Sequence, residues 1–111
     1  MELVKKLTEI NKQFSEGKII NNSIYWVEDR INNYKMPFLT QISYVLRALL
    51  CNHIYLDGNK RTSLYITLKW LRELKLDIDE DKLFDVITKI AKNNINEIRK
   101  IKRMLKKCYK I

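Results

Sequence analysis

Glycine and proline are almost missing: Gly17, Pro37 and Gly58 are the only three in 111 residues, against an average of about one residue in eight. So few turn-formers disfavour a sandwich or barrel, and long helices are expected instead. Cysteine is as sparse. Cys51 and Cys108 form no C-x-x-C pair, and with His53 the sole histidine the chain has no recognisable zinc set. The thiols read as reduced, ordinary residues. Long apolar runs are missing too: none exceeds four residues, whereas a membrane span needs about 20 and a signal-peptide core about 7. Insertion and secretion are disfavoured, and a cytoplasmic protein is expected. What is present is 46% hydrophobic residues, enough to bury roughly two thirds of the unfolded surface in one core. Residues 1–111 are therefore read as a single domain.

The net charge of +9 is unevenly spread. Residues 1–97 carry 15 basic and 13 acidic side chains, while residues 98–111 carry seven basic ones and no acid. Such a tail suits nucleic acid, anionic lipid or an acidic protein, and says little about fold.

Apolar residues recur at helical spacing in six places, so an all-α bundle of about six helices is expected. Leu3, Leu7, Ile10 and Phe14 mark the first helix; Ile24, Val27, Ile31 and Tyr34 mark the second, with Ser23 as its N-cap. The polar stretch Ser15 to Asn22 between them reads as an exposed loop. Pro37 opens a third helix bearing Ile42, Val45, Leu46 and Leu49, which runs out near Cys51, and Leu64, Leu68 and Leu71 mark a fourth. The acids from Asp77 to Asp81 suit the positive end of a fifth, with Leu83, Ile87 and Ile90. Asn94 and Glu97 have capping-box spacing ahead of a sixth, with Ile98, Ile101, Leu105 and Cys108 inward and the cations on its other faces. Trp26, Trp70 and Phe84 sit on or beside these stripes and are expected in the core. Asp77, Asp79 and Asp81 mimic the start of a calcium loop, but Lys82 and Thr88 stand where that loop needs glycine and glutamate, and calcium is rejected.

Chemistry concentrates in Asn52 to Ser63, between the third and fourth helices. Gly58 allows a sharp turn or a close backbone approach, and the amides opening the next helix point unpaired donors into the same space. That is an anion site. Lys60 and Arg61 add positive charge, Arg61 with a planar fork that matches phosphate oxygens, so a phosphate chain is expected rather than a lone carboxylate. Asp57 would repel that ligand unless a magnesium ion bridged the two, as nucleotide sites hold their metal. His53, four residues before Asp57, is placed to take the proton from an attacking hydroxyl.

The run His53-Ile54-Tyr55-Leu56-Asp57-Gly58-Asn59-Lys60-Arg61 resembles the Fic/Doc signature H-x-F-x-[DE]-[GA]-N-[GK]-R, and its Asn59-Lys60-Arg61-Thr62 ending resembles the Doc (death-on-curing) branch. The likeness is read over Thr40 to Lys107, the first 40 residues matching only in outline. It implies a helical bundle with the motif loop between two central helices and a short flap hairpin at Ser15 to Asn22 that aligns the target by strand-like pairing. It implies transfer of part of ATP, with Mg2+, onto a protein hydroxyl. The roles implied are His53 general base, Asp57 magnesium ligand, Gly58 and Asn59 anion hole, and Lys60 and Arg61 phosphate contacts. Tyr55 replaces a buried Phe, and its hydroxyl needs a partner or a route to water. AMP-transferring members usually read G-N-G-R-x-x-R; here Lys60 and Leu64 replace the second glycine and the final arginine. The Doc branch moves the terminal phosphate onto a translation elongation factor, as the toxin of a toxin-antitoxin pair. The inhibitory helix [ST]-x-x-x-E-[GN] of many members is matched at Glu16-Gly17 but not at Lys12, which implies a separate small antitoxin.

Three other readings compete. One is AMP transfer by a Fic-type enzyme. Another is a non-catalytic basic module that binds nucleic acid through the C-terminal helix, which is less favoured. The third is an enzyme-like fold retained only as an antitoxin-binding partner.

Overall fold

The computed structural model describes residues 3–110. Among them lie six helices, α1 (Leu3–Asn11), α2 (Ser23–Asn33), α3 (Phe38–Leu50), α4 (Asn59–Glu73), α5 (Glu80–Asn93) and α6 (Ile98–Lys106), and two short strands, β1 (Asp77–Ile78) and β2 (Tyr109–Lys110). The expected all-α bundle is thus present. The organising element is α3, which buries Leu39, Ile42, Ser43, Val45, Leu46, Ala48, Leu49 and Leu50. A helix apolar on most sides must be enclosed, and α2, α4, α5 and α6 all pack against it. Leu7 and Ile10 of α1, Ile87 of α5 and Ile101 and Leu105 of α6 join the same continuous core.

Helix ends depart from the reading of the sequence in three places. Ser23 is the first residue of α2, not its cap; the N-cap is Asn22, and Asn21 Oδ1 accepts the Ser23 N–H at 2.8 Å instead. Asn94 belongs to the helix before it, closing α5 in the left-handed conformation at φ 49°, a position Asn tolerates. Glu97 caps α6 without a side-chain bond, so no capping box forms. Asp79 does cap α5, its Oδ1 accepting the Lys82 N–H at 3.0 Å, with Glu80 and Asp81 in the first turn as the helix dipole favours.

The fourth stripe and the large aromatics also need correcting. On α4, Leu64 and Leu68 are only partly buried, while Thr62, Ser63, Ile66, Thr67 and Leu71 face the interior. Small side chains there let α4 lie close to α1 and α3. Trp26 and Phe84 are about half exposed, at 47% and 50%, and only Trp70 packs on the core. Trp26 is sheltered from one side: the Arg30 guanidinium lies 5.2 Å from its ring centre and Tyr44 packs at 5.9 Å. Phe84 stands one residue beyond the inward Leu83, turned about 100° around α5, and carries Lys60 Nζ 5.7 Å from its ring centre. Phe14 and Tyr34 fall just past the ends of their helices.

β1 and β2 pair antiparallel, Asp77 with Lys110 and Ile78 with Tyr109, and the Asp79 N–H donates to Cys108 O at 2.8 Å. This ties α6 back to the α4–α5 connection. Cys108 is fully buried beneath the pairing, and burial, Asp79 adding to it and Lys82 opposing, pushes its thiol up to about 11. The folded value lies above the ordinary thiol value of about 8.5, so the fold favours the protonated form; its contribution is complete below about pH 8.5 and lost as pH rises toward 11. Urea midpoints should therefore fall more steeply over that window in the natural chain than in Cys108→Ala.

Candidate functional site

The site is built where α3 stops. The Cys51 and Asn52 N–H groups both donate to Arg47 O, at 2.9 and 3.2 Å, and His53 then turns the chain with φ 49°. A left-handed conformation costs a non-glycine residue roughly 1 kcal/mol or more, and His53 is exposed, with no hydrogen-bond partner among the described residues to offset that cost. Backbone strain of this kind gathers at functional positions. Ile54 and Tyr55 plunge into the core, both fully buried. There the Tyr55 hydroxyl meets its partner, Thr8 Oγ1, at 2.7 Å, and burial raises its pKa. Thr8→Val keeps the shape and strands that hydroxyl, at an expected cost of about 1–3 kcal/mol in urea unfolding, most of which Tyr55→Phe in the same background should restore.

The connection from Ser15 to Asn22 lies against this loop. Ile19 forms an antiparallel bridge with Tyr55; the Ile20 N–H donates to Ile54 O at 2.8 Å and the Leu56 N–H to Lys18 O at 2.9 Å. In place of a hairpin closed on itself, the flap position is one extended segment paired to the motif loop.

Asn59 closes the loop. Its Nδ2 donates to Tyr55 O at 2.9 Å and its Oδ1 accepts the Tyr55 N–H at 3.1 Å. The side chain is therefore a clamp on the loop, and what Asn59 can offer an anion is its backbone N–H and the one Nδ2 hydrogen the clamp does not use. Gly58, left-handed at φ 77°, is the N-cap of α4, and the first intrahelical bond runs from Thr62 N–H to Gly58 O. The N–H groups of Asn59, Lys60 and Arg61 precede that bond and have no acceptor within the helix. The first turn of α4 carries no acid. Two cations at the positive end of a helix are each unfavourable by about 0.3–1 kcal/mol, an arrangement that an anion bound there would relieve.

His53, Asp57, Gly58, Asn59, Lys60 and Arg61 all line one cleft of about 500 Å3, completed by Phe14, Leu50, Leu56 and Ala91. The six residues singled out in the sequence are brought together. Asp57 is exposed and makes no side-chain hydrogen bond or ion pair among the described residues. No cluster of three metal-ligating side chains occurs among those residues. One free carboxylate beside a phosphate-sized anion site fits magnesium held mainly by phosphate oxygens and water, and does not fit a cation caged by protein alone.

Besides Phe14, Leu50, Leu56 and Ala91 in the lining, two residues behind the cleft were not anticipated. Asn11, fully buried at the end of α1, donates from Nδ2 to Asp57 O at 2.9 Å and to Thr62 Oγ1 at 3.1 Å, and accepts the Gly17 N–H at 2.9 Å. The signal was an asparagine four residues after Leu7, on the inward stripe. Phe84, through Lys60, is the other; nothing in the α5 stripe pointed to the cleft. Glu16, which the inhibitory pattern would place over the phosphates, is exposed and does not line the cleft.

A helical bundle that brings bare helix amides, two cations, a free carboxylate and a histidine to one cleft offers an anion such as a phosphate group a place to bind. The Fic/DOC family model matches residues 5–71, and the chain belongs to that family. The family is one of nucleotide-dependent enzymes that modify proteins. The match takes in α1 and α2, which the motif-based likeness followed only in outline, and ends within α4, short of the Lys107 to which that likeness was read. No curated protein and no solved structure matches the chain.

Proposed function

We propose that this protein is a Doc-type phosphotransferase: it moves the terminal phosphate of ATP to a hydroxyl of a protein target, a translation elongation factor, and acts in the cytoplasm as a toxin held in check by a small antitoxin. The observation that carries the reading is the convergence of His53, Asp57 and the free α4 amides on one cleft. The choice of phosphate over AMP rests on Lys60, which stands at the second glycine position and whose exposed side chain lines the cleft. It rests also on Leu64, which packs against the core where an AMP-transferring member would offer an arginine.

In the proposed reaction the target oxygen bonds to the terminal phosphorus as the bridging P–O bond breaks, leaving ADP. His53 accepts the hydroxyl proton. The N–H groups of Asn59, Lys60 and Arg61, with the two side-chain cations, stabilise the charge on the transferred group. Asp57 would hold magnesium, which neutralises phosphate charge.

Incubation with magnesium, a cell lysate and ATP labelled at either end tests this. Terminal label on a translation-factor band, confirmed by a mass gain of one phosphate, is the expected outcome. Label from the α-phosphate would establish AMP transfer instead. No transfer, with salt-sensitive RNA binding lost on removing residues beyond Ala91, would favour the basic module.

A further inference from the structure

Every hydrogen-bonding group of the Asn11 side chain is engaged, and none of its partners belongs to the apolar core. Nδ2 holds the carbonyl of Asp57 and the hydroxyl of Thr62; Oδ1 holds the N–H of Gly17. Through one amide, the end of α1, the motif loop, the first turn of α4 and the connection after α1 are fixed to each other. Gly58 lies so near that a Cβ there would come within 3.0 Å of Nδ2. A buried asparagine needs partners somewhere, but that requirement alone does not select the backbone of the residue whose carboxylate faces the cleft. Nor does it select Gly17, the residue just before the Lys18–Ile20 segment paired to Ile54 and Leu56.

We propose that Asn11 is the positioning residue of the site. It sets the Asp57 carboxylate relative to the free amides of α4 and links that setting to the Gly17–Ile20 segment, so that a change at the segment is felt at the carboxylate and the reverse. Asn11 touches no substrate; it acts through Asp57 O and Gly17 N. The inference rests on the reading of Asp57 as the group that meets magnesium and phosphate. The coupling route is a pair of hydrogen bonds sharing one planar group, so it needs no longer path through the fold.

The experiment compares the natural chain with Asn11→Ala and Thr62→Val. Thr62→Val is nearly isosteric and removes one acceptor, so it stands in if Asn11→Ala does not fold. Amide hydrogen exchange at Gly17, Lys18 and Leu56 is followed with and without magnesium and a non-hydrolysable ATP analogue. In the natural chain the ligands should slow exchange at Gly17. In Asn11→Ala that protection should disappear while exchange in α3 and α6 stays slow, and the magnesium concentration giving half-maximal label transfer should rise tenfold or more. Thr62→Val should shift both in the same direction by less. Variants that lose only melting temperature, with magnesium dependence and the Gly17 response unchanged, overturn the proposal and leave Asn11 a structural residue. A natural chain that binds the nucleotide analogue and magnesium but transfers no label defeats the phosphotransferase reading alone, because the exchange experiment still decides the role of Asn11. No ligand response at Gly17 in the natural chain overturns the coupling.

Discussion

His53→Ala and His53→Gly should both lower label transfer by about 10²–10⁴-fold, the usual contribution of a positioned general base, while differing in stability in favour of glycine. The asymmetry follows from the backbone. His53 sits at φ 49°, where a side chain is strained and glycine is not, so the glycine variant should unfold at a higher urea concentration than the alanine variant by the equivalent of about 1 kcal/mol. Neither loses packing, because the imidazole is exposed and makes no hydrogen bond among the described residues. A capping or packing histidine predicts the opposite, with both substitutions destabilising and transfer falling only as far as folding does. Titrating the nucleotide analogue by its effect on Gly17 exchange should give nearly the same affinity in all three proteins, placing the loss in the chemical step. Transfer within a few-fold of the natural chain in either variant would remove His53 from the mechanism.

How much of this was legible beforehand depends on whether a feature is local in sequence. The motif loop was, because nine consecutive residues carry it and the chain needs only one glycine and one clamp to hold them in register. The stripes of α1, α3, α5 and α6 were legible for the same reason: burial there follows apolar spacing. On α4 the rule fails, since the face turned inward bears Thr62, Ser63 and Thr67, and a pattern search for leucines looks at the wrong side. Trp26 and Phe84 were misread because a large ring can be shielded by a cation rather than by the core. The Thr8–Tyr55 and Asn11–Asp57 bonds span 47 and 46 positions. Sequence could say that a buried Tyr55 hydroxyl needs a partner, but not which residue the fold would bring to it.

Gly58→Ala combines these strands into the second large effect. The residue is left-handed at φ 77°, and the added Cβ would lie 3.0 Å from Asn11 Nδ2, 3.4 Å from Ser15 Cβ and 3.5 Å from Phe14 Cβ. The conformational cost is about 1–2 kcal/mol. The near contact adds to it, because Nδ2 is held by two hydrogen bonds and cannot retreat without weakening them, each worth about 0.5–1.5 kcal/mol. A total loss of about 2–3 kcal/mol in urea unfolding is expected. The signature admits alanine at this position, and relieving a 3.0 Å contact takes a shift of a few tenths of an ångström, short of the displacement near 1 Å that costs about 100-fold, so transfer among the molecules still folded should fall by no more than about tenfold. Backbone strain and steric conflict are separable by repeating the change in an Asn11→Ala background. There the nearest obstructing atom is gone, so Gly58→Ala should cost less than in the natural chain by about 1 kcal/mol, a coupling that additive, independent sites would not give. Strict additivity would mean that the cost is conformational alone, and that the close approach of Gly58 to Asn11 has no energetic consequence.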